Sequence, residues 1–340
     1  MTPTILERPA PRHRLAAAAV VALLAPMACI AQALVPAPVV MQGGDKTIRI
    51  VVPYPPGGTT DLLARAIAPR LGERLGQAVV VENKAGAGGV IGAQQVAKAA
   101  PDGRTLVFAS IASHGIIPAL QNPPPYDPVV DFTPITLVAS TPNVLLANAD
   151  LPARDVRELI AMARAEPGKI NFGSTSHGGS PHMSGELLES MADIKMQHVP
   201  YKGGAPMLID LMGGQIPIAF DNLPSSMVYI KAGKVRALAV TTSKRWPGAP
   251  EIPTMAEAGV PGYEVDAWFG LLAPAGTPRA VIDELNRNVI AVLKTPEVEK
   301  LFFEQGALPV GNTPEEFGAF IRAELAKWSK VAKTNNITLK

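Results

Sequence analysis

The chain has 340 residues, enough for two domains at about 100–200 residues each. Its 47% hydrophobic and 18% charged residues fit a packed globular protein, and its 30 Gly and 34 Pro fall short of a low-complexity composition. Arg8, Arg12, Arg14 and Glu7 lie in the first fourteen residues; without them the 31 basic and 29 acidic residues become 28 of each. That balance, with only 5% aromatics, argues against a nucleic-acid surface.

The three N-terminal arginines precede an apolar run, Leu15 to Ile30, and a small-x-small box, Ala31-Gln32-Ala33. This is the pattern of a cleavable secretory signal over residues 1–33, with a mature N-terminus at Leu34. A membrane anchor is the alternative, but the run is shorter than the ~20 residues a span needs, and Pro26 interrupts it. Lipoprotein processing at Cys29 is a poorer match, because Pro26 stands where such a site prefers Leu. Cys29 is the only cysteine. Cleavage after Ala33 leaves a chain without disulfides, thiol nucleophiles or cysteine metal sites.

Beyond the leader, strands and helices alternate. Residues 48–53 read as a buried strand, followed by the turn Tyr54-Pro-Pro-Gly-Gly-Thr-Thr60 and a helix from Asp61. A strand at 78–82, a glycine turn at 86–89, a helix at 90–100 and a strand at 105–109 come next. Asn122 to Pro128 is a rigid connector, and 135–140 and 144–147 are two short strands. The rhythm restarts with helices at 155–166, 183–191 and 205–212 and strands at 170–173, 196–200, 218–221 and 235–241. The Pro-rich stretch 246–262 reads as loop. The last third has a strand at 269–273, helices at 280–293, 297–305 and 315–333, and a short strand at 308–310. Such βαβ units imply two α/β lobes, each a mostly parallel sheet flanked by helices. The last third holds too few strands to stand alone, so it folds back on the first lobe. The expected division is 46–143 plus 268–340 for one lobe and 144–267 for the other, with a ligand cleft between them.

Three loops and one acid carry the candidate chemistry. Gly57-Gly58-Thr59-Thr60-Asp61 opens a helix, where free amides and the helix dipole attract an anion; a plain threonine cap is the alternative. Gly86-Ala87-Gly88-Gly89-Val-Ile-Gly92 fails the dinucleotide spacing, since Ile91 stands where glycine is required. It is a second edge of an anion site or a tight packing turn. The loop from Gly173 to His182 holds Ser174, Thr175, Ser176 and Ser180. It misses the hydrolase elbow because Ser174 replaces the first glycine. His177, His182 and Glu186 do not have the spacing of a zinc-protease helix, and no metal is expected. Asp221 ends an apolar strand; it either accepts a ligand ammonium or caps an Asx turn.

Together these segments resemble the Bug family, the periplasmic receptors of tripartite tricarboxylate transporters. The resemblance rests on 52–61 (Val-Pro-Tyr-Pro-Pro-Gly-Gly-Thr-Thr-Asp), 81–92, 99–106, 173–180 and 199–204 (Val-Pro-Tyr-Lys-Gly-Gly). It implies a two-lobed, type II-like periplasmic-binding-protein fold and a monomeric, non-catalytic receptor without cofactor. Such a receptor passes a small carboxylated ligand, an organic acid or amino acid, to a membrane permease. It implies contacts from Tyr54, Gly57, Gly58, Thr59, Thr60, Gly86, Ala87, Gly88, Gly89 and Ser110 in one lobe. In the other lobe it implies Ser174, Thr175, Ser180 and Asp221. No arginine clamp is offered, so backbone dipoles must hold the anion. The rival is a secreted serine hydrolase using Ser176 or Ser180, which needs a histidine base held by a carboxylate.

Overall fold

A computed structural model of the chain describes residues 47–334 and 337; the signal segment 1–33 and the expected new terminus at Leu34 lie outside them. The fold begins with β1 (Ile48–Val52), α1 (Thr59–Leu75), β2 (Val79–Asn83), a 3-10 turn at Ala87–Gly89, α2 (Val90–Ala97) and β3 (Thr105–Ser110). A π-helical turn (Ala112–Ile116) runs into α3 (Ile117–Leu120). Then β4 (Phe132–Asn148) extends for 17 residues. There follow α4 (Val156–Ala165), β5 (Asn171–Ser174), α5 (Ser180–Ala192), β6 (Gln197–Pro200), α6 (Gly204–Met212), β7 (Ile218–Asn222), α7 (Leu223–Lys231) and β8 (Val235–Val240). The chain finishes with β9 (Asp266–Pro274), α8 (Arg279–Leu293), α9 (Pro296–Gln305), β10 (Leu308–Pro309) and α10 (Pro314–Thr334).

The two short strands expected at 135–140 and 144–147 are one strand, because β4 changes partners rather than ending. Its first part pairs antiparallel with β9 as far as Pro142, opposite Asp266. From Asn143, opposite Asn222, it pairs with β7, and from Val144 with β8 on its other edge. Pro142 lacks a donor and falls in the interval where one ladder gives way to the next, a place where proline is tolerated. The strand order is β2-β1-β3-β9-β4-β7-β5-β6, with β10 and β8 also on β4. The pairs β1–β2, β1–β3, β5–β6 and β5–β7 are parallel, while β9 and β4 run antiparallel to their neighbours. Thr241 ties the two crossing segments together: its hydroxyl donates to Val265 O at 2.6 Å and accepts from Asn143 N at 2.9 Å.

The C-terminal helices complete the core around the first set of strands. Trp268 on β9 and Trp328 on α10 are fully buried, and both indole N–H groups donate to Glu324 Oε2. Gly270 lets Phe317 lie against the sheet, since a Cβ there would meet its ring at 2.2 Å. Helix α7 was not anticipated. Pro224 looks like a breaker, yet it sits at the first helical turn, where its missing N–H loses nothing. Among the described residues no helix is long and apolar enough to cross a membrane.

Candidate functional site

The carboxyl ends of the parallel strands face one another, which is where open α/β sheets present their ligand loops. A cavity of about 50 Å3 lies there, lined from the first set of strands by Tyr54, Gly58, Thr59, Thr60, Ser110, Ile111, Ala112 and Phe269. The second set supplies Thr175, Ser176, Gly179, Ser180, Pro181, Gly204, Asp221, Asn222 and Ser225. The two sides touch through Thr59, whose hydroxyl donates to Ser225 Oγ at 3.3 Å.

Four helices begin at this cavity. Gly58, Gly179, Gly203 and Asn222 are the residues before α1, α5, α6 and α7, and none makes a side-chain cap bond. Two helices elsewhere carry side-chain caps, while α2, α3, α8 and α9 also start without one. Asp155 accepts from Glu158 N at 2.9 Å before α4, and Thr313 and Glu316 exchange bonds before α10. At the cavity, first-turn amides are left without side-chain caps. Each helix start carries about half a positive charge. Among the described lining residues none is Arg or Lys.

Of the residues expected at the site, Tyr54, Gly58, Thr59, Thr60, Ser110, Thr175, Ser180 and Asp221 line the cavity. Gly57, Gly86, Ala87, Gly88, Gly89 and Ser174 stand behind it. Gly57 N donates to Asp61 Oδ2 at 2.9 Å, which shapes the turn into α1. The glycine turn backs Tyr54. Its hydroxyl donates to Gly88 O at 3.1 Å and meets Ser110 Oγ at 2.7 Å. Gly89 has φ +102, and a Cβ there would meet the Tyr54 oxygen at 2.8 Å, so only glycine allows that approach. Burial pushes the Tyr54 hydroxyl up to about 12, which keeps it a neutral donor. The Ser174 hydroxyl meets His198 Nε2 at 2.6 Å and Ser176 O at 3.0 Å.

Asp221 is fully buried. Its Oδ2 accepts from Ser225 at 2.8 Å and Ser226 at 2.7 Å, and its Oδ1 from Asn222 N at 2.8 Å. Burial raises its carboxyl to about 6; the three donors offset only part of that effect. Beside it, Asn143 Oδ1 accepts from Ser180 Oγ at 3.2 Å and from Asn222 Nδ2.

Sequence reasoning missed Asn143, Asn222, Ser225, Gly204 and Phe269. Asn222 before Leu-Pro-Ser carried a usable signal, an N-cap residue with proline in the following first turn. A polar Asn143 within the apolar run of β4 was another. The hydrolase arrangement is not present among the described residues. Ser176 and Ser180 hydroxyls make no bond to a histidine, and no carboxylate bonds His198, the partner of Ser174.

Comparison with known proteins gives the family and the fold. A family model described as the tripartite tricarboxylate transporter family receptor matches residues 63–337. The chain is 43% identical to an R. palustris protein solved with adipate, covering 86% of this chain and 98% of that one, at a TM-score of 0.83. It is 35% identical to MatC from Rhodopseudomonas palustris, solved with bound malate, covering 84% and 98%, at a TM-score of 0.80. It is 36% identical to the periplasmic binding protein BugD, covering 87% and 99%, at a TM-score of 0.83. The fold is that of the two-lobed periplasmic binding proteins, and the chain belongs to the family of tripartite tricarboxylate transporter receptors.

Proposed function

We propose that the protein captures a small dicarboxylate between its two lobes and delivers it to a tripartite tricarboxylate permease. The observation that carries this reading is the meeting of four uncapped helix starts at a cavity without basic side chains. Such a surface holds a carboxylate by amides and hydroxyls, Thr59, Thr60, Ser110, Thr175 and Ser180 among them. The relatives solved with adipate and malate support a dicarboxylate. A cavity of about 50 Å3 has room for one carboxylate group or a few waters, so the lobes part to admit a whole ligand and close on it. The lobes in this reading are 46–143 with 268–340, and 144–267. The protein works in the periplasm as a monomer, exported by the segment 1–33, and acts by binding rather than catalysis.

Asp221 gives a second reading some support. An ionised, buried carboxylate at the cavity suits a ligand ammonium, which would make the ligand an amino acid. Calorimetric titration with adipate, malate, the matching monocarboxylates and acidic amino acids separates the two. Tight binding of the dicarboxylates alone is the expected result. Binding confined to amino acids would replace the dicarboxylate reading, and no carboxylate binding at all would end both.

A further inference from the structure

Three of the four histidines among the described residues meet at one place on the second set of strands. His177 lies in the loop after β5, His182 in the first turn of α5, and His198 on β6 opposite Phe172. One ring nitrogen from each lies within 4.8 Å of the others. His182 and His198 stack with centroids 3.8 Å apart, and the His177 ring is 4.8 Å from His182. Glu186, one turn further along α5, places Oε1 3.2 Å from His182 Nε2.

Packing against Phe172 accounts for buried His182 and half-buried His198. It does not account for the exposed His177 joining them, nor for the carboxylate. We propose that His177, His182, His198 and Glu186 form a binding site for one divalent transition metal of the zinc or nickel kind. Three imidazoles and one carboxylate are a four-coordinate donor set for such ions, and calcium or magnesium would reject it. Imidazole coordinates in its neutral form.

At zinc–nitrogen lengths of about 2.0–2.1 Å, tetrahedral ligands stand roughly 3.3 Å apart. The His182–Glu186 pair already has that spacing. The other nitrogens draw in as exposed His177 rotates and the stack opens. The Ser174 hydroxyl on His198 Nε2 is the kind of outer partner that orients a ligating imidazole. At present His182 Nδ1 accepts from Gly178 N at 3.1 Å, which puts the ring proton on Nε2, facing Glu186. When Nε2 takes the metal, that proton moves to Nδ1 and the Gly178 N–H gives up its acceptor. The metal therefore reshapes the loop that supplies Thr175 and Ser176 to the cavity.

The test uses the untagged protein, titrated calorimetrically with ZnCl2 and NiCl2, with MgCl2 as the control and CoCl2 followed by visible absorption. One zinc per chain and the absorption bands of tetrahedral cobalt are expected. His177→Ala, at an exposed position that leaves folding intact, should weaken zinc at least tenfold, and Glu186→Gln should also weaken it. Wild type that binds zinc no more tightly than His177→Ala, or that gives no tetrahedral cobalt bands, overturns the site. Neither measurement depends on carboxylate binding, so this site and the dicarboxylate reading stand or fall separately.

Discussion

Two buried aspartates stand near the cavity, and they have opposite fates. Asp61, in the first turn of α1, accepts from Arg65 Nε, Asn83 Nδ2 and Gly57 N, each at 2.9 Å. Burial raises its carboxyl, but Arg65, Gly57 N–H and Asn83 outweigh that and hold it below the usual range. Asp221 has donors too, from two hydroxyls and one amide, but no cation, and its carboxyl rises to about 6. Asp61 is a framework clamp, and Asp221 is a more deeply desolvated carboxyl at the cavity. Two things differ: Asp221 is desolvated more deeply, and Asp61 has Arg65 among its donors where Asp221 has only neutral ones.

The comparison breaks first at Asp61. Asp61→Asn should lower stability by about 2 kcal/mol, the range for bonds to a charged group, and loosen the turn that holds Gly58 and Thr59. The sign with pH follows from a lowered carboxyl. Its stabilisation is present above the ordinary aspartate value and is lost as pH falls through the lowered one. Denaturant melts of both proteins at pH 7 and pH 3 check this. A variant as stable as wild type at pH 7 would show that the clamp is ornamental.

Gly58→Val probes the cavity side of the same turn. A Cβ at Gly58 meets nothing nearer than Pro55 O at 3.9 Å, and φ is −82, so the variant folds. Its branched side chain should nonetheless obstruct close approach of a ligand to the amides. Binding should weaken at least tenfold, about 1.4 kcal/mol, by calorimetry. Unchanged affinity would move the ligand away from the start of α1.

Asp221→Asn sharpens the other half. Asparagine keeps an acceptor for Asn222 N–H, and the Ser225 and Ser226 hydroxyls can turn to meet the new amide. Removing the charge should leave stability near wild type and tighten a dicarboxylate by about tenfold, a coupling of about 1.4 kcal/mol. An amino acid held through its ammonium would instead be lost, which is the cleanest separation of the two ligand classes.

The smallest effect is with pH. As pH falls from 8 to 6, wild-type Asp221 goes from ionised to about half protonated, because its raised carboxyl titrates near 6. If the charge weakens dicarboxylate binding tenfold, affinity should rise about fivefold over that range. The Asp221→Asn protein should lack the rise, and its titration isolates Asp221 from the ligand's own protonation.

Much of this was legible in the chain itself. The alternation of apolar strands with amphipathic helices and the glycine turns after strands are local signals, set by backbone sterics and by period. They placed most elements and all three loops. The segments around Gly57–Asp61, Gly86–Gly92 and Gly173–Ser180 also carried the family, because their glycines and hydroxyl residues stand in a recognisable local order. The start of α7 was hidden only because Pro224 reads as a breaker in isolation and as a first-turn residue in context.

What the sequence could not decide were the relations between distant residues. Nothing local says that β4 runs unbroken past Pro142 and trades β9 for β7; that depends on which partner lies beside each residue. Nothing local says that Ser174 turns to His198 while Ser180 faces the cavity, or that Asn143 reaches Ser180 and Asn222. The same holds in part for the fates of Asp61 and Asp221. Arg65 stands four residues after Asp61 on α1, a pairing helix period alone supplies, but only packing brought Asn83 to the first and left the second among neutral donors. Electrostatic roles are properties of the neighbourhood, and the neighbourhood exists only once the chain has folded.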